Sequence, residues 1–346
     1  VPVKIVDLFA GPGGLDVAAT WLDLPVTGIE IDDDACATRK LAGLDTEQGD
    51  VRHFGPKRFR DANVLAAGPP CQTYTVAGSG TGRRHLDDVV RFAKRMAAGE
   101  DVKAELGELS DPRTALVLEP LRWALEALDD ERPYEAIILE QVPTVLPVWQ
   151  VMDEILTGLG YKVRCGVLRT EQYGVPQTRR RAILIAHREH EVKLPEATHR
   201  PFRKGMVRTD GDQNLRPWMT IGDVVSRSRP FHVVSNYGTG GDPKERGVRT
   251  YKEPSFTVTG KVDRNRVWTL DGMEELPRFN EAEAGQLQTF PSDYPWGGGH
   301  IPQQIGNAIP PLLAAHVLTA ALGLDPEIPG QWTVPNVPKW FGANRS

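Results

Sequence analysis

Along the first half of the chain, short runs of continuous apolar residues alternate with stretches whose apolar positions recur every three or four residues. The runs "VKIVDLF" (3–9), "VTGIEI" (26–31), "NVLAAG" (63–68), "YEAIILEQV" (134–142), "KVRCGVLR" (162–169) and "AILIAH" (182–187) predict strands. Residues 15–23, 33–43, 115–130 and 147–160 carry the helical spacing. Strands apolar on both faces, alternating with helices, predict an α/β fold built on a doubly wound, mainly parallel sheet.

The rhythm breaks twice. Residues 79–111 open with the polar, glycine-rich "GSGTGRRHLDD", which predicts a loop, and continue into what reads as an exposed helical insertion. From 188 to 275 the alternation gives way to Pro, Gly, Arg and short β-like runs such as "PSFTVTGK". That change predicts a smaller, loop-rich, β-containing domain. Helical patterning returns in "NEAEAGQLQTF" and "PPLLAAHVLTAALG". The expected organisation is a body of 1–187 plus 276–325, a second domain of 188–275, and a loosely packed tail of 326–346.

Composition adds a charge asymmetry. The net charge of −5 over 346 residues excludes a uniformly basic nucleic-acid binder. Residues 187–270, however, hold 16 Lys and Arg against 10 Asp and Glu. A basic segment on an acidic body suits polyanion binding, although a solvated surface would have the same composition. The three cysteines, Cys36, Cys71 and Cys165, form no CxxC pair, and no HExxH occurs, so neither disulfides nor a bound metal are expected. No uninterrupted apolar run reaches the roughly 18 residues that suggest a membrane span. A cytoplasmic chain without membrane attachment is expected.

Candidate chemistry gathers at the predicted strand ends. "DLFAGPGG" (7–14) follows the first strand and precedes a helix, where glycines permit close backbone approach to a ligand; a plain tight turn would look the same. Glu30 ends the second strand about 20 residues on, where an acid can take two ribose hydroxyls. Asp50, in "GDV", is placed to meet an adenine amino group. Together they predict an adenosine-containing cofactor. Cys36 and Cys165 read as small buried hydrophobes. Cys71, just past a strand end behind Pro69 and Pro70, reads as a nucleophile. Glu140 tips "AIILE" as a candidate acid. In "GVPQTRRR", Gln177, Arg179 and Arg181 alternate and share one face if extended.

The ordered set "DLFAGPGG", Glu30, "GDV", "GPPCQ", "LEQVP", "QTRRR", "QLQTFPSDY" and "QIGNAIPP" resembles the cytosine-C5 DNA methyltransferase family from about residue 3 to 323. The resemblance implies S-adenosylmethionine as cofactor, with S-adenosylhomocysteine as product and no metal. It implies that Phe9 stacks on adenine, that Gly11 and Gly13 allow approach, that Glu30 binds ribose and Asp50 adenine. Pro70, Leu116, Phe290, Asn307 and Ala308 would line the rest. Cys71 would attack cytosine C6, Glu140 would hold the N3/N4 edge, Arg181 would bind O2, and Arg179 would support the site. The base must leave the duplex stack to be reached, a step general to methyltransferases. A loop at 72–90 would close over it, and 188–275 would read the sequence. Gln72, Gln177, Lys261, Arg264 and Arg266 are the expected DNA contacts. The implied partner is double-stranded DNA, with a separate cognate restriction endonuclease as a further partner of a monomeric enzyme that is nucleoid-associated when bound.

Departures from the family pattern are Gln141 in place of Asn, Gln286 in place of Arg, Thr73-Tyr74-Thr75 after "PPCQ", and a longer insertion at 91–110. Two alternatives stand beside this reading. A tRNA methyltransferase of the family usually carries a Cys-Phe-Thr signature, which 188–275 lacks. A catalytically idle DNA-binding homologue would not need Cys71, Glu140 and Arg181 together. A nicotinamide dehydrogenase would leave those three unexplained.

Overall fold

The computed structural model describes residues 2–70, 86–109, 111–236, 246–334 and 336–341. Among them, strands β1 (Ile5–Leu8), β2 (Val26–Glu30), β3 (Thr46–Gln48), β4 (Val64–Ala67), β5 (Ala136–Gln141), β6 (Lys162–Arg169) and β7 (Arg180–His187) form one sheet in the order β3-β2-β1-β4-β5-β7-β6. The pairs β1–β2, β1–β4, β2–β3 and β4–β5 are parallel; β7 is antiparallel to both β5 and β6. The exception has a local cause. Only the short segment 170–179 joins β6 to β7, too little chain for the crossover that a parallel pair requires.

Strand periodicity explains why these segments are continuously apolar. Val6, Leu8, Leu65, Ala67, Ile137, Leu139 and Leu184 face one core, shared with the helices Glu119–Asp129 and Leu146–Gly158. Ile5, Val64, Ala66, Ile138, Ile183 and Ile185 face the other, against α1 (Gly14–Trp21) and the helix Pro311–Leu322. By the same period of two, Asp7, Glu140 and Arg181 belong to this second face, at the carboxyl ends of β1 and β5 and the start of β7.

A second, antiparallel sheet has the order β11-β10-β8-β9, with β8 Phe231–Val234, β9 Val248–Thr250, β10 Arg266–Thr269 and β11 Glu275–Leu276. Its core of Ile221, Val225, Phe231, Val233 and Val267 is completed from later in the chain by Phe279, Ala284, Leu287 and Ile305.

Three expectations need correction. The insertion is exposed along most of 91–109 but not throughout: the helix Leu86–Ala97 buries Val89, Phe92 and Ala93 in the main core. The helix expected over 115–130 divides into a 3-10 turn, Pro112–Leu118, and an α-helix, Glu119–Asp129. Pro120 stands in the first turn of the latter, where its missing N–H costs nothing. The tail is not loosely packed: Trp332 meets Trp21 at 5.2 Å between ring centroids, and Val334 and Trp340 are buried. The stretch Ile301–Leu322 is long and apolar enough to cross a membrane by length and composition, but 78% of its 18-residue apolar window is buried in the fold.

Candidate active site

The strand order reverses between β1 and β4, so the chain leaves their carboxyl ends in opposite directions and opens a crevice there. A cavity of about 500 Å³ occupies it, within the roughly 300–1,000 Å³ typical of small-molecule sites. Of the residues expected in a cofactor or base site, Phe9, Gly11, Glu30, Pro70, Glu140, Arg181, Asn307 and Ala308 line this cavity. Cys71 and Gln72 lie outside the described residues, as does most of the 72–90 loop.

Glu30 is held by three backbone amides. Oε2 accepts from Gly11 N at 2.7 Å, and Oε1 accepts from Ile31 N and Asp32 N, each at 2.8 Å. One acid thus ties the turn after β1 to the end of β2, with lone-pair capacity left for a ligand hydroxyl. Phe9 takes the left-handed φ of 62°, an uncommon conformation for a bulky residue and one that clusters at functional sites.

Glu140 and Arg181 meet across the cavity floor. Arg181 Nε lies 2.6 Å from Glu140 Oε1, yet without hydrogen-bond geometry, so that buried oxygen has no hydrogen-bond partner among the described residues. A buried carboxyl held in charge contact but unsatisfied in hydrogen bonding is suited to receive a polar ligand edge. Next to it, Gln141 is fully buried; Nε2 donates to the Pro69 carbonyl, and its own Oε1 accepts from Val142 N. The amide that departs from the family pattern therefore ties β5 to the proline pair.

Other expected residues are placed elsewhere. Asp50 does not line the cavity. Arg52 holds its carboxylate through side chain and backbone, and these bonds hold its pKa below the usual value. Leu116 is outside the lining, where Arg113 stands instead. Phe290 is wholly buried in a cluster with Tyr294 and Trp296, at 4.8 Å from each ring. Gly13 caps α1 behind the cavity.

The alternation of Gln177, Arg179 and Arg181 holds, but only Arg181 reaches the cavity. Gln177 is 0% exposed and cannot contact DNA: it donates to Leu287 O and Gln288 Oε1 and accepts from Val258 N. Arg179 is buried and donates to the carbonyls of Val258, Gly306 and Ala308. The two fasten the segment around 258 to the helix Ile301–Asn307, which lines the cavity through Gln303, Gln304 and Asn307. A Cβ on Gly306 would come within 2.3 Å of Gly260 N, so only glycine permits this approach. Beyond that contact, Lys261 and Arg264 are exposed, and neither forms an ion pair among the described residues. Arg266 is engaged: both its Nε and Nη2 bond Glu275, at 2.9 and 2.6 Å, and the guanidinium lies 4.6 Å from the Trp268 ring centroid.

Asp7 and Ile31 are among the cavity residues that the sequence does not single out. Asp7 is buried inside the apolar run of β1, the one signal that could have found it. Burial raises its carboxyl well above the usual value, and Asp16, Glu30 and Glu140 push the same way, while Arg39 opposes. Ile31 is 61% exposed at the rim, an apolar face beside Glu30. With Asp7, Glu30, Asp32, Asp34 and Glu140 against Arg113 and Arg181, the described lining is acid-rich and suits a cationic ligand. Among the described residues, no group of three or more His, Cys, Asp or Glu is placed to hold a metal ion.

The model of the C-5 cytosine-specific DNA methylase family matches residues 3–92 and 109–322. The chain is 28% identical over 359 residues to the Type II methyltransferase M1.HphI of Haemophilus parahaemolyticus, covering 92% of this chain and 87% of that protein. It is 28% identical over 254 residues to M.AquIA of Picosynechococcus sp., covering 66% and 89%. The fold is similar to that of the S. pombe Dnmt2 methyltransferase, with a TM-score of 0.65 at 16% identity over 93% of this chain and 98% of that one. Motif order, crevice geometry and these matches together establish that the chain belongs to the C-5 cytosine-specific DNA methylase family.

Proposed function

We propose that the crevice between β1 and β4 holds S-adenosylmethionine beside an extruded cytosine of duplex DNA. The observation that carries this reading is the Glu140–Arg181 pair, set at 2.6 Å on the floor of a cavity that Glu30 and Pro70 also line. Family membership implies the cofactor, and the residues present suit it. Glu30 offers an acceptor to a ribose diol; Phe9, Ile31 and Pro70 offer apolar faces to a ring; the acidic lining complements a sulfonium and an ammonium group. Bound there, S-adenosylmethionine supplies an electrophilic methyl group.

Cys71, next in sequence to Pro70, adds as thiolate to cytosine C6. Electron density moves toward N3, at the ring edge that Glu140 engages, and C5 becomes nucleophilic. Arg181 offers donors to O2 and keeps Glu140 in place. After C5 is methylated, loss of its proton re-forms the 5,6 double bond and expels the thiolate. The products are 5-methylcytosine and S-adenosylhomocysteine.

Residues 188–275 serve as the target recognition domain, fastened to the catalytic body through Gln177 and Arg179. Its charged loop at 261–264 sits against the cavity-lining helix and provides DNA contacts through Lys261 and Arg264. The Type II relatives support a modification role; a separately acting cognate endonuclease, a monomeric enzyme and a cytoplasmic location complete the reading.

The nucleophile is tested by trapping. Wild type should form a denaturation-resistant complex on duplex DNA carrying 5-fluorocytosine in its recognition sequence, because fluorine blocks the final elimination. Cys71→Ser should form none, with S-adenosylmethionine affinity unchanged; equal trapping by both would remove Cys71 from the role. For the acid, Glu140→Gln should lower the single-turnover methylation rate by about 10²–10⁴-fold. A rate near wild type would make Glu140 structural. For the DNA contacts, Lys261→Ala and Arg264→Ala should each flatten the slope of log affinity against log salt by about 0.9. Unchanged slopes in both would place the contact surface elsewhere.

A further inference from the structure

Far along the chain from the glycine turn, the segment ending at Trp340 and Phe341 packs behind it. The amides of Trp340 and Phe341 donate to the two oxygens of Asp293, at 2.8 and 3.1 Å. The indole Nε1 of Trp340 donates to the carbonyl of Ala42, the last residue of α2 (Asp33–Ala42), at 3.2 Å. The Trp340 ring is buried and meets Tyr294 edge-on, with centroids 5.4 Å apart and planes at 69°.

Tyr294 passes that contact on to the cavity. Its ring is buried, and its hydroxyl donates to the carbonyl of Pro12. Burial raises the phenol far above its usual pKa, so it stays a donor at every working pH. The fit leaves no slack: a Cβ on Gly13 would lie 2.8 Å from Tyr294 Oη and 2.4 Å from Leu44. Pro12 itself lines the cavity between Gly11, whose amide Glu30 holds, and Gly14. The same ring stands beside Phe290 and Trp296, so Tyr294 is fixed on its other edges as well.

We propose that the C-terminal strap sets the position of the cofactor-binding turn, with Trp340 acting through Tyr294 on Pro12 as a positioning residue for S-adenosylmethionine. Neither residue touches the cavity. The inference rests on the cofactor reading above. It differs from a plain core role in what it requires: loss of Trp340 must change cofactor affinity, not stability alone.

The test is calorimetric titration of the full chain with S-adenosylmethionine, without DNA, alongside thermal melting. Trp340→Ala should raise the dissociation constant about 5–30-fold, the factor that corresponds to about one to two kcal/mol. Tyr294→Phe, which deletes only the hydroxyl, should weaken binding in the same direction with a melting temperature close to wild type. Because both act through one contact, the double variant should bind much like the weaker single, not with the product of the two effects. Trp340→Phe keeps an aromatic edge on Tyr294 and should stay within about twofold of wild type.

An unchanged dissociation constant in Tyr294→Phe, or multiplicative effects in the double variant, would overturn the proposal. If Trp340→Ala does not fold, an unchanged constant in Tyr294→Phe still decides against it. Wild type that fails to bind S-adenosylmethionine at all would instead overturn the cofactor reading.

Discussion

Everything in the site depends on the reversal of strand order beside β1. β2 and β3 extend the sheet on one side of β1, and β4, β5 and β7 extend it on the other. The turn after β1 and the Gly68–Pro70 segment after β4 therefore part, which leaves a crevice at the carboxyl ends of the two strands. Such a crevice is available in any doubly wound sheet. What the sequence adds is the polar residues that line it, among them Asp7, Glu30, Glu140 and Arg181. The period-two alternation of each strand sends Asp7, Glu140 and Arg181 to the same face of the sheet, the face that also packs α1 and Pro311–Leu322. One strand register thus builds the core and the cavity floor together. A one-residue slip in β5 would turn Glu140 into the opposite core.

Electrostatics follows from that placement. Burial raises the carboxyl of Asp7 well above its usual value, and the neighbouring acids Asp16, Glu30 and Glu140 add to this against Arg39. A cationic ligand relieves the repulsion. S-adenosylmethionine is cationic at sulfur, and S-adenosylhomocysteine is not. On the reading proposed above, the acid-rich lining complements the charged methyl donor better than the uncharged sulfur of the product.

The parts legible in the sequence are those in which local pattern and local chemistry coincide. Glu30, Glu140 and the glycine turn stand at the ends of apolar strands, where a polar residue needs an explanation. Gln177 and Arg179 show the limit. Their alternation was readable, but whether that face met DNA or protein was decided by carbonyls at Leu287, Val258, Gly306 and Ala308, far along the chain. Asp50 and Arg266 were read as free ligands because nothing in sequence showed that Arg52 and Glu275 would occupy them. Tryptophans in a proline-rich tail look like loose surface until Asp293 and Ala42 are seen to receive Trp340. In each case the missing information is a partner distant in sequence.

The catalytic assignment is tested most directly by sequencing 5-methylcytosine in the DNA of a host that lacks other cytosine methylation and expresses this chain. The proposed placement of one extruded cytosine in the cavity, beside a proposed duplex-reading domain, predicts methylation at nearly every copy of one short sequence. Methylation should be absent outside that sequence and absent in cells expressing Glu140→Gln at the same protein level. Unmethylated DNA despite soluble, cofactor-binding protein, or methylation spread without regard to sequence, would contradict the account.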